Sequence, residues 1–168
     1  MHKNSLTLRQ IALFGMLGAL TFGAKVAMSG LPNIEPVSLM VLLFAAVFGW
    51  KALYPVYLYV GMEILLYGIS FWNINYLYVW TILLVCAMLL RPLRNPLWWA
   101  LAAGLFGLAF GFLCSPVYMA VGGSVSYGIR WWQAGLAFDL THGIGNFVIV
   151  LLLFAPLRKL LERLYEKT

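Results

Sequence analysis

Three side chains with hydrogen-bonding chemistry stand together in the last long apolar stretch of the sequence, residues 131–157. Asp139, His142 and Asn146 follow the spacing i, i+3, i+7, which places them on one stripe of a helix. Ionisable groups at membrane depth are costly and persist where they face a protein interior or a wet cavity. The stripe therefore predicts one wall of a polar site inside a helical bundle.

A carboxylate beside a histidine could serve catalysis, metal binding, ligand binding or structure. Catalysis needs a nucleophile or a metal nearby. The sequence has no Gly-x-Ser-x-Gly segment, no His-Glu-x-x-His segment and no second histidine within an apolar stretch. We therefore favour ligand recognition, with a purely structural hydrogen-bond role as the alternative, and we expect neither enzymatic activity nor a bound metal or cofactor.

Other polar and aromatic residues accompany this stripe. Tyr59, Glu63 and Tyr67 lie four residues apart and share a helix face, and residues 30–38 read as a structured loop with two prolines. Glu63 could simply pair with Lys25, and tryptophans near helix ends could form only an interfacial belt. The predicted binding residues are Lys25, Asn33, Glu35, Glu63, Tyr67, Trp72, Asn75, Arg130, Trp131, Asp139, His142 and Asn146.

The elements that must position these residues are membrane helices. The chain has 168 residues, of which 64% are hydrophobic and 10% are charged, whereas a soluble domain carries about 25% charged residues. We expect a single all-α membrane domain over residues 1–168, with about six transmembrane helices at roughly 20 residues per crossing. The predicted helices cover about 8–28, 37–49, 52–71, 76–90, 97–119 and 131–157.

The net charge of +6 does not indicate nucleic-acid binding, because the basic residues flank apolar segments and form no patch. With alternating helices, only Lys25 and Arg130 fall on the side opposite the chain ends. By the positive-inside rule, both termini are expected in the cytoplasm of a prokaryotic cell, with the protein multi-pass in its membrane. The side of the termini receives Lys3, Arg9, Lys51, Arg91, Arg94, Arg158, Lys159, Arg163 and Lys167.

The same topology places the unusual polar residues in the outer half of the bundle and leaves the inner half apolar. A channel would need polar groups through the whole thickness, so the pattern predicts a pocket that opens outward and is closed below. Residues 72–76 read as an aromatic and amide turn. The glycine-rich residues 122–130 read as a flexible loop, and we expect it to act as a lid over the pocket.

The first predicted helix carries small residues every four positions, at Gly15, Ala19 and Gly23. Such a ladder forms a flat groove in which another helix can approach closely. The partner helix could belong to the same bundle or to a separate protein.

Size, this ladder, the segment 31–39 (Leu-Pro-Asn-Ile-Glu-Pro-Val-Ser-Leu) and the segment 138–146 (Phe-Asp-Leu-Thr-His-Gly-Ile-Gly-Asn) together resemble the substrate-binding S component of energy-coupling factor (ECF) vitamin transporters. The resemblance covers the whole chain. It implies six helices, cytoplasmic termini and a vitamin site near the outer surface. It also implies that Gly15, Ala19 and Gly23 dock on a transmembrane coupling subunit, which joins the chain to a pair of cytoplasmic ATPases.

The identity of the vitamin stays open in the sequence. Lys25 and Arg130 stand against Glu35, Glu63 and Asp139 among the predicted site residues, and this slight acidic excess argues against a strongly anionic ligand. His142 would suit a cobalamin, which we slightly favour, whereas the aromatic residues would suit a smaller flavin, pyridine or pterin-like ring. The alternatives from other classes are an intramembrane enzyme using Asp139 and His142, and a structural membrane subunit that binds no ligand.

Overall fold

The computed structural model describes residues 6–31 and 33–167, and this part of the chain is all-helical. Five helical segments in it are long and apolar enough to cross a membrane. Large apolar side chains such as Leu8, Leu65 and Ile69 are exposed on the outside of the bundle, as expected for contact with lipid. The helices are α1 (Leu8–Ala27), α2 (Val37–Phe48), α3 (Leu53–Tyr67), α4 (Phe71–Leu90), α5 (Pro96–Val121), α6 (Val125–Ala134) and α7 (Leu136–Tyr165), with a 3₁₀ turn at Gly49–Ala52.

One candidate membrane segment, Val37–Tyr67, is a hairpin of α2 and α3. Gly49 breaks it with a φ of 62°, a left-handed conformation that glycine adopts without steric cost. Both ends of the segment reach one cavity, at Val37 and Glu63, whereas Phe48 in the middle packs 4.8 Å from the ring of Tyr165 near the chain end. The segment therefore turns back on itself at the end of the bundle away from the cavity.

The two ends of the described chain lie together at that same end of the bundle. The guanidinium of Arg9 donates to the backbone oxygen of Lys167 at 3.3 Å, and the amide of Gln10 reaches the hydroxyl of Tyr165 at 3.5 Å. Thr7 and Gln10 form a capping box that starts α1 here. The cavity and the chain ends thus occupy opposite faces of the molecule.

The packing of α5 on α7 is the most extensive helix pair in the bundle, and it depends on glycines. A Cβ atom on Gly107 would lie 2.7 Å from the backbone of Gly143, so both residues must remain glycine for the helices to approach this closely. Pro116 removes one backbone donor within α5, and the hydroxyl of Ser115 donates instead to the oxygen of Phe112 at 2.8 Å.

Two connections differ from the sequence-based expectation. α4 begins at Phe71 rather than near residue 76, because Ser70 caps it and the side-chain oxygen of Asn73 accepts a hydrogen bond from the Ser70 backbone at 2.6 Å.

Residues 122–130 are not one flexible loop. Gly123, with a φ of 64°, makes a short turn, and Ser124 then caps the additional helix α6.

The last helix also differs in its bounds. It begins at Leu136 rather than near residue 131, because α6 is a separate helix, and the amphipathic residues 158–165 continue it past the apolar stretch to Tyr165. Pro156 lies inside it and is tolerated, and the pair of Arg158 with Glu162 at i, i+4 supports the final turns.

Candidate functional site

A cavity of about 850 Å³ lies at the end of the bundle away from the chain ends. Helices α1, α3, α4, α5, α6 and α7 and the connection before α2 all contribute to its wall. The predicted site residues that line it are Lys25, Asn33, Glu35, Glu63, Tyr67, Trp72, Trp131, Asp139 and His142.

Three predicted site residues do not line the cavity. Arg130 is exposed on the outer surface of α6 while its neighbour Trp131 faces the cavity, since successive helix residues point about 100° apart. Asn75 is fully buried and accepts a hydrogen bond from the hydroxyl of Tyr78 at 2.9 Å. Asn146 lies deeper along the α7 stripe, where its amide donates to the hydroxyl of Ser38 at 2.9 Å.

Glu35 holds the start of α2 against α7. Its carboxylate accepts from the backbone amides of Val37 and Ser38 and from the Ser38 hydroxyl, the last at 2.7 Å. The Oε1 atom of Glu35 also lies 3.2 Å from Nε2 of His142. Burial raises the pKa of Glu35, but the bonds and charge of His142 and the bonds from Ser38 outweigh it, so the pKa lies below the ordinary value.

The role of Ser38 was not predicted from the sequence. Its hydroxyl donates to Glu35 and accepts from Asn146, so it joins both residues in one buried network with His142. A serine just after a proline at a helix start reads as an ordinary capping residue, and only the tertiary fold brings α7 beside it. Two residues of the predicted stripe, His142 and Asn146, are therefore hydrogen-bonded to Glu35 and Ser38 at the start of α2.

Lys25 and Glu63 form an ion pair across the cavity wall, with Nζ 2.5 Å from Oε2. This is the pairing that the sequence left open. The ammonium also lies 5.3 Å from the ring centre of Tyr76 and 5.8 Å from that of Tyr67. The second carboxylate oxygen of Glu63, Oε1, is buried and has no hydrogen-bond partner among the described residues.

Asp139 is buried in the first turn of α7 and faces α5. Its Oδ1 atom accepts from the backbone amide of Gly111 at 2.9 Å. A Cβ atom on Gly111 would lie 2.5 Å from Oδ2, so glycine leaves the room for this carboxylate. The Oδ2 atom is buried and unpartnered among the residues that the structure describes.

Aromatic rings form much of the remaining wall. Tyr76 and Trp80 have ring centres 5.4 Å apart, Trp80 and Phe110 lie 5.9 Å apart, and Phe110 lies edge-on to His142 at 4.8 Å. These wall positions, together with Tyr59 and Phe138, are not among the binding residues predicted from the sequence. The four-residue spacing did place Tyr59 on the face of α3 that carries Glu63, which was the signal for including it.

Trp131 and Trp72 lie near the outer end of the same cavity. The indole of Trp131 stacks on the ring of Tyr118 with centres 3.7 Å apart and planes within 11°, and Trp72 lies 6.0 Å from it in a tilted arrangement. Because Trp131 lines the cavity and Tyr118 covers one of its faces, the other face is the one that a flat ligand could contact.

The small-residue ladder of α1 faces outward. A Cβ atom added to Gly15 or Gly23 would meet nothing within 4 Å, and Ala19 is exposed. The opposite face of α1 packs on α3, where a Cβ on Gly18 would collide with Leu58. Packing within the described bundle therefore does not account for the ladder.

The buried polar side chains of the described residues all lie in the cavity-side half of their helices. Two of them, Glu63 and Asp139, carry acceptor oxygens without a partner among the described residues, and aromatic rings lie beside them in the cavity wall. This arrangement is suited to binding a small molecule. No group of three or more His, Cys, Asp or Glu residues positioned to hold a metal occurs in the described part of the chain. These polar side chains are Thr21, Ser38, Glu63, Asn73, Asn75, Ser115, Asp139, His142 and Asn146.

Comparison of the chain with protein-family models, with curated proteins and with solved structures gives no match.

Proposed function

We propose that this chain is the substrate-binding membrane subunit of an ECF-type importer and captures a vitamin or related micronutrient. The observation that carries the proposal is the cavity of about 850 Å³ with buried, unpartnered polar atoms in its wall. Pockets of small-molecule binding proteins span about 300–1,000 Å³ and combine apolar walls with a few placed polar groups. The apolar half below it supports capture from one side rather than conduction through a pore.

The topology that we propose has six crossings, formed by α1, α2, α3, α4, α5 and α7, with α6 lying at the outer surface. Support comes from the hairpin at Gly49, which splits Val37–Tyr67 into two short crossings, and from the adjacent chain ends. The basic residues beside those ends favour the cytoplasm as their location. The cavity then opens to the outside of a prokaryotic cell.

The proposed partners are a transmembrane coupling subunit and, through it, a pair of cytoplasmic ATPases. The outward ladder of Gly15, Ala19 and Gly23 supports this part of the proposal, because small residues permit close approach by a helix of another protein.

Titration of the purified chain tests the function. We expect saturable binding of one vitamin per chain and no chemical change in the recovered ligand. Conversion of the ligand would favour an intramembrane enzyme. The absence of binding by every vitamin and of any co-purifying small molecule would favour a structural subunit.

A further inference from the structure

The charged groups of the cavity define the chemical class of its ligand. We infer that the ligand is a small heteroaromatic molecule that carries a positive charge or amine N–H donors, and that the free carboxylate oxygens of Asp139 and Glu63 bind those groups. The inference rests on the proposed function and extends it from binding to the chemistry of the substrate.

Pairing within the wall leaves an excess of negative charge. Lys25 is paired with Glu63, and His142 contacts Glu35, whose carboxylate is already occupied by the start of α2. Asp139 accepts from the backbone amide of Gly111, and its other donor neighbour is the neutral indole of Trp132, so no cation among the described residues is paired with it. A ligand cation beside Asp139 would compensate the buried carboxylate, whereas a ligand carboxylate or phosphate would add a second uncompensated charge.

The unpartnered atoms in the wall include two carboxylate oxygens. Glu63 is 4% exposed and Asp139 is 6% exposed, and each has one buried oxygen, Oε1 and Oδ2 respectively, without a partner among the described residues. An ionised carboxylate can only accept hydrogen bonds, so its partner must donate. The indole nitrogen of Trp80 is also buried and unpartnered among the described residues, and it can donate a hydrogen bond to a ring nitrogen or hydroxyl of the same ligand.

The aromatic wall favours a flat, electron-poor ring. Tyr76, Trp80 and Phe110 stand side by side, and Trp131 offers one face at the outer end. Aromatic faces carry partial negative charge and attract cations. The guanidinium of Arg130, which an anionic ligand would need, lies on the exposed surface outside this wall.

Two matched pairs of probes test the ligand class by titration at neutral pH. Pyridoxamine and 4-pyridoxate share one pyridine ring and differ in bearing an ammonium or a carboxylate group. Thiamine and thiamine monophosphate differ by a phosphate. We expect the cationic member of at least one pair to bind about 10-fold to 100-fold more tightly than its anionic counterpart, the range for a hydrogen bond to a charged group.

Variants of the protein connect that preference to the named residues. Asp139→Asn should reduce the difference in affinity between the cationic and the anionic probe of a pair, because the neutral amide no longer favours a cation. Glu166→Gln removes a carboxylate outside the cavity and should leave the difference unchanged. Equal preference in wild-type protein and Asp139→Asn would overturn the role of Asp139, and tighter binding of the anionic members would overturn the ligand class.

The remaining outcomes separate this inference from the proposed function. Protein extracted directly from cells is analysed by mass spectrometry beside the titrations, with cyanocobalamin, nicotinate, pantothenate and biotin as further probes. Binding or retention of cyanocobalamin or a carboxylate vitamin would overturn the inference and leave the proposed function standing. Failure of every probe, with no small molecule in the extract, would overturn both.

Discussion

At the scale of single residues, the α7 stripe divides into two roles. Asp139 lines the cavity and keeps one buried oxygen without a hydrogen-bond partner among the described residues, whereas His142 is bonded to Glu35 and Asn146 to Ser38. The stripe was predictable because helical spacing is local. The partners were not, because Gly111, Glu35 and Ser38 are distant in sequence and only the tertiary fold brings them to α7.

Truncation of the stripe should weaken ligand binding. We expect Asp139→Ala or His142→Ala to cost about 1–3 kcal/mol of binding free energy, the range for leaving a buried polar partner unsatisfied. Isothermal titration of the purified variants measures it. Thr141→Ala is the matched control, since Thr141 is exposed on the same helix and its hydroxyl donates to the backbone oxygen of Ala137 within α7. Unchanged affinity in both cavity variants would refute the site assignment.

Glu35 should make a pH-dependent contribution to stability. Because its folded pKa is lowered, the contribution is fully present above the unfolded value of 4.5 and is lost as pH falls through the lower folded value. Glu35→Gln should therefore cost roughly 1–3 kcal/mol of unfolding free energy near neutrality. The cost should shrink as the pH falls from 4.5 through the lower folded pKa of Glu35. Denaturation in detergent across this pH range measures the difference, and a constant difference would contradict the assigned cause.

At the scale of elements, the apolar helices were readily predicted and their capping was not. Composition and length identify α1, α2, α3 and α5 to within a few residues at most ends. Helix α6 was missed because glycines and serines at 122–126 were read as loop residues, although Ser124 followed by a polar and aromatic segment is also a helix start. The start of α4 was predicted too late in the chain, because Asn73 completes the cap at Ser70 and Asn75 is a buried partner of Tyr78.

Helix α6 should respond to ligand, since it carries Trp131 into the cavity wall and adjoins the turn at Gly123. We expect slower amide hydrogen exchange over residues 125–134 when ligand is bound. Residues 158–165, at the opposite end of α7, provide an internal reference that should not change. Equal exchange in both states would show that α6 is a fixed wall and not a moving cover.

The contact between α5 and α7 should tolerate no side chain at Gly111. Gly111→Ala would push against Asp139 Oδ2, and overpacking of this kind typically costs about 1–3 kcal/mol. Gly15→Ala is the matched control, because a Cβ there meets open space. Thermal unfolding of the two variants in detergent compares them, and equal melting temperatures would contradict the placement of the Asp139 carboxylate against Gly111.

At the scale of the whole molecule, the cavity and the proposed docking face occupy separate surfaces. The docking hypothesis comes from the resemblance to S components. The ladder of α1 faces outward, so its docking on a partner is a proposal that substitutions on this surface can test. Sequence alone could not decide between internal and external packing, because the four-residue spacing is the same in both.

Bulky residues on the ladder should separate binding from transport. Ala19→Trp and Gly23→Trp are expected to block close helix approach, so uptake and co-purification with the coupling subunit fail while vitamin binding by the isolated chain persists. Leu20→Trp, on an exposed apolar position next to the ladder, is the control. Normal assembly of the ladder variants would refute docking through this face.

The central claim is that this cavity captures a small molecule, and the most direct measurement is mass spectrometry of the denatured extract from freshly purified protein. Wild-type protein and the double variant Asp139→Ala, His142→Ala are prepared in parallel from the same cells. The predicted result is one small molecule released from the wild type in roughly stoichiometric amount and strongly depleted in the variant, as expected if the cavity binds it tightly. The same molecule in equal amounts from both proteins would contradict the claim.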